Sequence, residues 1–301
     1  MTYHVGVHLL YASMVGSAAW VLTSIRGASA TTKYWIWVVT AVNFVVPSGA
    51  LIDELWAPHL TWSAPLRAIV GLARYLTQGR TAVVLVVIWI TGGLIMLVRL
   101  ISRLRRERRE IQVPASRHDV TSSFAADGIP VSFDSRHPTP AVGGLLYPRI
   151  VLPTGVDRLL NRQELKAVLL HEVVHAKRRD NLIRLLYEVS LCALWFHPLI
   201  WLAGMRMALY RELSCDESVI RRAQGQALVR ALAKLAVPEE TMFLQATASS
   251  HLSHRLARLA GSAQATHRAA SLLLTSLFAA VVVAGVFETV AHTACCFILK
   301  H

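Results

Sequence analysis

The stretch RLLYEVSLCALWFHPLIWLAGMRM, residues 184 to 207, decides the fold. It is apolar enough to be read as a helix crossing a bilayer, which takes about 20 such residues for ~30 Å of hydrocarbon. If it crosses, HEVVHAKRRD (171 to 180) before it and RELSCDES (211 to 218) after it lie on opposite faces of the membrane. If it does not cross, they can meet. Pro198 near its middle allows a break, leaving pieces 184 to 196 and 198 to 221, and the first is too short to span at about 1.5 Å per residue. Both are then helices in a domain core or dipping into the inner leaflet, where Trp195, Phe196 and Trp201 would suit an interface.

Upstream, NRQELKAVLLHEVVHAKRRDN (161 to 181) predicts a helix. Asn161 is a cap, Glu164 completes a capping box three residues on, and Leu165, Leu169 and Val173 recur at one-turn spacing. His171 and His175 then project from one face, one turn apart. Two imidazoles so placed can share a Zn²⁺ at about 2.0 to 2.1 Å, with Glu172 positioned to act on water. The ordinary alternative is a helix with two surface histidines, which needs nothing downstream. Catalytic zinc needs a third ligand, and Glu212 and Asp216 stand four apart on one helical face: one carboxylate can bind metal while the other holds a ligand histidine by its second nitrogen. Without the histidines, that pair is an ordinary acidic surface. A shared ion forbids a crossing by 184 to 207.

The whole chain points to a membrane. Of its 301 residues 54% are hydrophobic and only 16% charged. Four segments approach spanning length, at 5–25, 34–52, 81–100 and 270–287. The formal charge of +13 comes from arginines beside apolar runs, a pattern of topology signals and lipid contacts; no nucleic-acid recognition motif accompanies it, so direct nucleic-acid binding is not expected. Arg99, Arg103, Arg105, Arg106, Arg108 and Arg109 after the third span fix that end inside. The expected domains are three spans within 1–100 with an extracellular loop at 53–80, a cytoplasmic domain at 101–269, and a fourth span at 270–301 with a short outer tail. Both termini lie outside the cell membrane in this scheme. Arg67, Arg74 and Arg80 in the outer loop weaken it, and Leu66, Ile69, Val70 and Ala73 suit a short helix on the outer surface. Gly92 and Gly93 in the third span suit close helix contact.

Residues 110 to 128 are polar and form a lead-in. IPVSFD and GGLLYPRIVLP (from 129 and 143) are short β-branched runs that predict two or three strands in a small sheet. Pro148 and Pro153 place the second run at a sheet edge, so Leu145, Leu146, Tyr147, Arg149, Ile150 and Val151 become candidates to pair with an extended peptide. The fold class is therefore mostly α, multi-pass, with a cytoplasmic α+β domain. Cys192, Cys215, Cys295 and Cys296 have no zinc-knuckle spacing, and Cys215 suits a small buried apolar role.

In this order, GGLLYPRIVLP, HEVVHAKRRDN, WFHPLIW and RELSCDES resemble integral-membrane zinc metallopeptidases of the BlaR/MecR antirepressor type. RELSCDE fits that group better than the heat-shock and prenyl-processing membrane proteases. The resemblance is sharp over about residues 125 to 220. It implies a gluzincin-like fold with His171, His175 and Glu212 as zinc ligands, Glu172 as general base and Asp216 supporting a ligand histidine. It also implies a protein substrate, such as a DNA-binding repressor, cut in signalling. Sensors of this group carry an extracellular penicillin-binding domain; here only Glu288 to His301 follow the fourth span, so β-lactam sensing is not carried over. His197 and Arg211 are candidate oxyanion donors. A quality-control protease or a zinc-stabilised transducer without catalysis are the alternatives, the second having no need of Glu172. Oligomeric state is open, and a homodimer is compatible.

Overall fold

The computed structural model describes residues 2–25, 27–45, 79–111, 126–135, 137–235, 255 and 268–298. Among these, helices predominate: α1 (Thr2–Ser24), α2 (Ala30–Val45), α3 (Gly79–Ile111), the single turn α4 (Val156–Leu159), α5 (Arg162–Arg178), α6 (Asp180–Leu194), α7 (Pro198–Arg221), α8 (Gly225–Leu235) and α9 (Arg268–Ile298). Three short strands, β1 (Val131–Asp134), β2 (Ala141–Gly143) and β3 (Arg149–Pro153), lie between α3 and α4.

Residues 184 to 207 turn back on themselves. α6 ends at Leu194, His197 takes an extended conformation, and Pro198 opens α7 at its first position. There a missing N–H removes no bond, whereas in mid-helix it would cost about 3 kcal/mol. Tyr187 closes this hairpin, its hydroxyl donating to the Ile200 carbonyl at 3.1 Å. Gly204 makes the approach possible, since a Cβ there would overlap the Tyr187 ring and hydroxyl.

α6 runs antiparallel to α3. Arg103 pairs with Glu188, and further along Trp89 Nε1 donates to the Ala193 carbonyl at 2.7 Å while Trp195 Nε1 returns a bond to the Trp89 carbonyl at 3.1 Å. The Trp195 indole lies over Gly92, and the Cys192 carbonyl faces Gly93, so both glycines mark the close helix contact expected of them.

α7 belongs to two cores. Ala203, Met207, Tyr210 and Leu213 pack with Val15 and Ala19 of α1, Tyr34 and Trp37 of α2, and Leu274 and Phe278 of α9. Its last turns contribute Val219 to a second core with Ile150, Leu152, Leu165, Val168, Leu169, Val173 and Leu228. α5 carries the expected stripe, and its capping box forms: Asn161 Oδ1 accepts from the Glu164 amide and Glu164 Oε2 from the Asn161 amide, each at 2.9 Å. Lys234 of α8 also reaches Glu164, at 2.7 Å, tying α8 to the start of α5.

The sheet corrects one expectation. Its order is β1-β3-β2, with β3 parallel to β1 and antiparallel to β2. Arg149, Ile150 and Val151 are thus in a central strand with no free edge for a peptide, and Leu145, Leu146 and Tyr147 lie in the turn leading into it. The prolines misled because Pro148 precedes the strand and Pro153 ends it, positions where a missing donor is tolerated. Among the described residues the outer rims belong to β1 and β2, and Asn181 covers part of β2 by donating to the carbonyls of Val142 (2.7 Å) and Gly144 (3.2 Å).

Within α3, Thr81–Glu107 is the one helix among the described side chains both long and apolar enough to cross a membrane. The segments expected at 5–25 and 270–287 fall on the continuous helices α1 and α9, and α2 covers the first part of 34–52. The rest of that segment, residues 53–78 of the outer loop with its expected helix, and 112–125 of the lead-in lie outside the described residues.

Candidate metal centre

Three donors converge where α5 crosses α7. His171 and His175 aim their Nε2 atoms at each other across 3.1 Å, and Glu212 Oε2 stands 3.6 Å from the first and 3.8 Å from the second. The rings meet edge to face, with centroids 4.9 Å apart. The hairpin at Pro198 is what brings Glu212 back to this pair.

Behind each imidazole stands a carboxylate. His171 Nδ1 faces Asp216 Oδ1 at 3.1 Å, and His175 Nδ1 lies 2.6 Å from Asp180 Oδ2. Both carboxylates are buried. Burial alone would push His171 down, but Asp216 and Glu212 outweigh it and hold the imidazole at about 9. Burial likewise opposes the charge on His175, and Glu212 and Asp180 raise it well above the usual range. The same pairing holds Glu212, Asp180 and Asp216 below the ordinary carboxylate range, although burial pushes each of them up.

This donor set suits a divalent cation. Two ring nitrogens and a carboxylate oxygen face one point; the second nitrogen of His175 is hydrogen-bonded to Asp180, which fixes where that ring keeps its proton, and the second nitrogen of His171 lies 3.1 Å from Asp216. Glu172 is buried next to His171 and its charge acts on both His171 and Arg255. Cys215 is also close, its Sγ 3.6 Å from His175 Nδ1. That is the nitrogen already taken by Asp180, and Arg178 Nη2 donates to the same sulfur at 3.3 Å, so Cys215 lies behind the ring.

A BlaR1 peptidase M56 family model matches residues 4–259, most of the chain and all of the convergent residues. The chain belongs to the M56 peptidase family. Its curated relatives include the methicillin resistance mecR1 protein of Staphylococcus aureus, 29% identical over 161 residues, which is 50% of this chain and 27% of that protein. The regulatory protein BlaR1 of Bacillus licheniformis is 30% identical over 145 residues, 44% of this chain and 24% of the relative. This chain therefore spans only about a quarter of the length of the relatives it matches.

In this M56 family member the two candidate oxyanion donors part company. His197 is at the far end of α7, its Nε2 3.1 Å from Ser13 Oγ and its ring against Phe44. Fifteen residues of helix, roughly 22 Å at 1.5 Å per residue, separate it from Glu212, so it cannot reach a reacting carbonyl there. Arg211 is at the site, with Nε 3.1 Å from Glu212 Oε1, the oxygen turned away from the histidines. It holds that carboxylate in orientation.

Asp180, Arg178 and Arg255 are site residues that sequence reasoning missed. Arg178 grips Asp180 with Nε on Oδ1 and Nη2 on Oδ2, both at 2.6 Å, and also donates to Ser214 and to the Arg211 carbonyl. Arg255 binds Asp216 through two bonds of 2.9 Å, with Nη1 3.6 Å from Glu212 Oε2. Asp180 stands just past the end of α5, where no helical spacing relates it to His175; that it follows in HAKRRD was the only available signal. Arg255 comes from a distant part of the chain, and its sequence surroundings carry no signal.

Proposed function

We propose that this chain is a membrane-embedded zinc endopeptidase acting at the cytoplasmic face, and that it signals by cutting a regulatory protein such as a transcriptional repressor. The observation that carries the proposal is the meeting of His171, His175 and Glu212 about one point, with Glu172 buried beside it. His171, His175 and Glu212 would hold the ion. When bound, zinc supplies a Lewis acid that polarises a peptide carbonyl and makes water more acidic. Glu172 accepts a proton from the attacking water and delivers it to the departing amine. Asp180 keeps the His175 Nδ1 protonated so that its Nε2 lone pair stays free, and Asp216 supplies the carboxylate nearest the His171 Nδ1. Arg211 fixes Glu212, and Arg255 adds positive charge where an oxyanion would develop.

The name of one relative, a regulatory protein, supports a signalling role. For the membrane frame, we take α1, α2, α3 and α9 as four spans, residues 101–269 as the cytoplasmic domain, and both termini as outside. The arginine cluster after the apolar part of α3 supports that orientation. Comparative proteomics of cells carrying wild-type chain or Glu172→Gln tests the function. One regulatory protein should stop being cut in the variant while its zinc content stays at the wild-type level. An unchanged proteome with unchanged signalling would contradict catalysis, and accumulation of many damaged membrane proteins would point to quality control instead.

A further inference from the structure

The Asp180 carboxylate is shared between the metal centre and the membrane frame. Its Oδ2 lies 2.6 Å from His175 Nδ1, and its Oδ1 accepts from the Tyr34 hydroxyl at 3.0 Å. Tyr34 sits in the second turn of α2, fully buried, with the Arg178 guanidinium over its ring at 4.2 Å. Nothing in the hydrolytic chemistry uses this hydroxyl, yet it is one side chain removed from a ligand nitrogen. A second tie runs in parallel: the Ala30 amide, at the start of α2, donates at 2.9 Å to Glu217 Oε2 on α7, one residue past Asp216. The ligand helix α7 and the Asp180 that backs His175 are thus fastened to the same end of α2.

We propose that Tyr34 is a positioning residue for the metal centre: its hydroxyl fixes the Asp180 carboxylate that orients His175, so the seating of α2 decides how tightly the site holds its ion. The inference rests on the metal-site reading above. Arg178 already grips both Asp180 oxygens, and the Tyr34 hydroxyl is the further donor that tethers Oδ1 to α2; the loss of an outer partner of a ligand costs about 10 to 100-fold in metal affinity. Tyr34 acts through one more bond, so its effect falls at the low end. Displacement of α2 by an event elsewhere in the membrane frame would act through the same bond.

The test is zinc affinity of the full-length chain in detergent, by competition with a chromophoric chelator, with cobalt absorption as the spectroscopic readout. Tyr34→Phe should bind zinc about tenfold more weakly and shift the cobalt bands, and Asp180→Asn should weaken zinc further. Trp37→Phe removes a bond from the same helix, Trp37 Nε1 to Thr23 Oγ1 at 3.2 Å, without touching Asp180; it should leave affinity within about twofold and the cobalt bands in place. Wild-type affinity and an unshifted cobalt spectrum in Tyr34→Phe would overturn the proposal, as would an equal loss in Trp37→Phe, which would mean that α2 acts only as general packing. Should Tyr34→Phe fail to fold, wild-type affinity in Asp180→Asn would overturn it equally. His175→Ala separates this from the reading beneath: if wild-type affinity survives that change, the metal site itself has been misplaced, and the inference falls with it.

Discussion

Glu212 divides its oxygens between two tasks. Oε1 takes Arg211, and Oε2 faces both imidazoles. With His171 held up at about 9 and His175 also raised, the metal-free pair keeps proton density between its Nε2 atoms near neutral pH. An ion needs those lone pairs, so uptake must release protons. The sign follows: the raised histidine pKa stabilises the metal-free fold fully below about 6.5, and that contribution is lost as pH rises through about 9. Zinc affinity therefore climbs over that window. Calorimetry in buffers of different ionisation enthalpy should find about one proton or more released per zinc near neutral pH. A pH-independent affinity with no release would contradict the assigned ligands. At this scale the pairings of His171 with His175 and of Glu212 with Asp216 were legible, because one-turn spacing puts each pair on one helical face. Asp180 and Arg255 were not, since their positions depend on how separate elements pack.

The hairpin of α6 and α7 rests on small residues placed where rings must fit. At Gly204 any side chain meets Tyr187, so Gly204→Ala should destabilise the chain by roughly 1 to 3 kcal/mol through overpacking and disturb the Tyr187 bond to Ile200. Thermal unfolding in detergent checks this, and an unchanged midpoint would show that the hairpin closes some other way. The break at Pro198 and the α5 cap were readable because proline and the capping box act locally. The central position of β3 was not. β2 is three residues with a single β-branched side chain, too short to announce a partner for the strand it covers.

Across the whole molecule, α7 joins the core it shares with α1, α2 and α9 to the core built from the sheet, α5 and α8, and the candidate metal centre sits on the helix they share. Composition pointed to apolar helices, and Thr81–Glu107 is one long and apolar enough to cross a membrane; the two hydrogen bonds that tie α2 to the site had no trace in sequence because they are made by one hydroxyl and one backbone amide. The proposed orientation predicts that a cysteine placed near Arg105 reacts only with membrane-permeant thiol reagents in intact cells. Reaction with an impermeant reagent would invert the topology. The central claim, that two imidazoles from α5 and a carboxylate from α7 hold one ion, is tested most directly by X-ray absorption of the zinc-loaded chain. The account predicts two imidazole nitrogens at about 2.0 to 2.1 Å and carboxylate oxygen at about 2.0 to 2.2 Å, with no sulfur. A sulfur shell at about 2.3 Å, placing Cys215 on the metal, or a spectrum unchanged by Glu212→Ala, would contradict it.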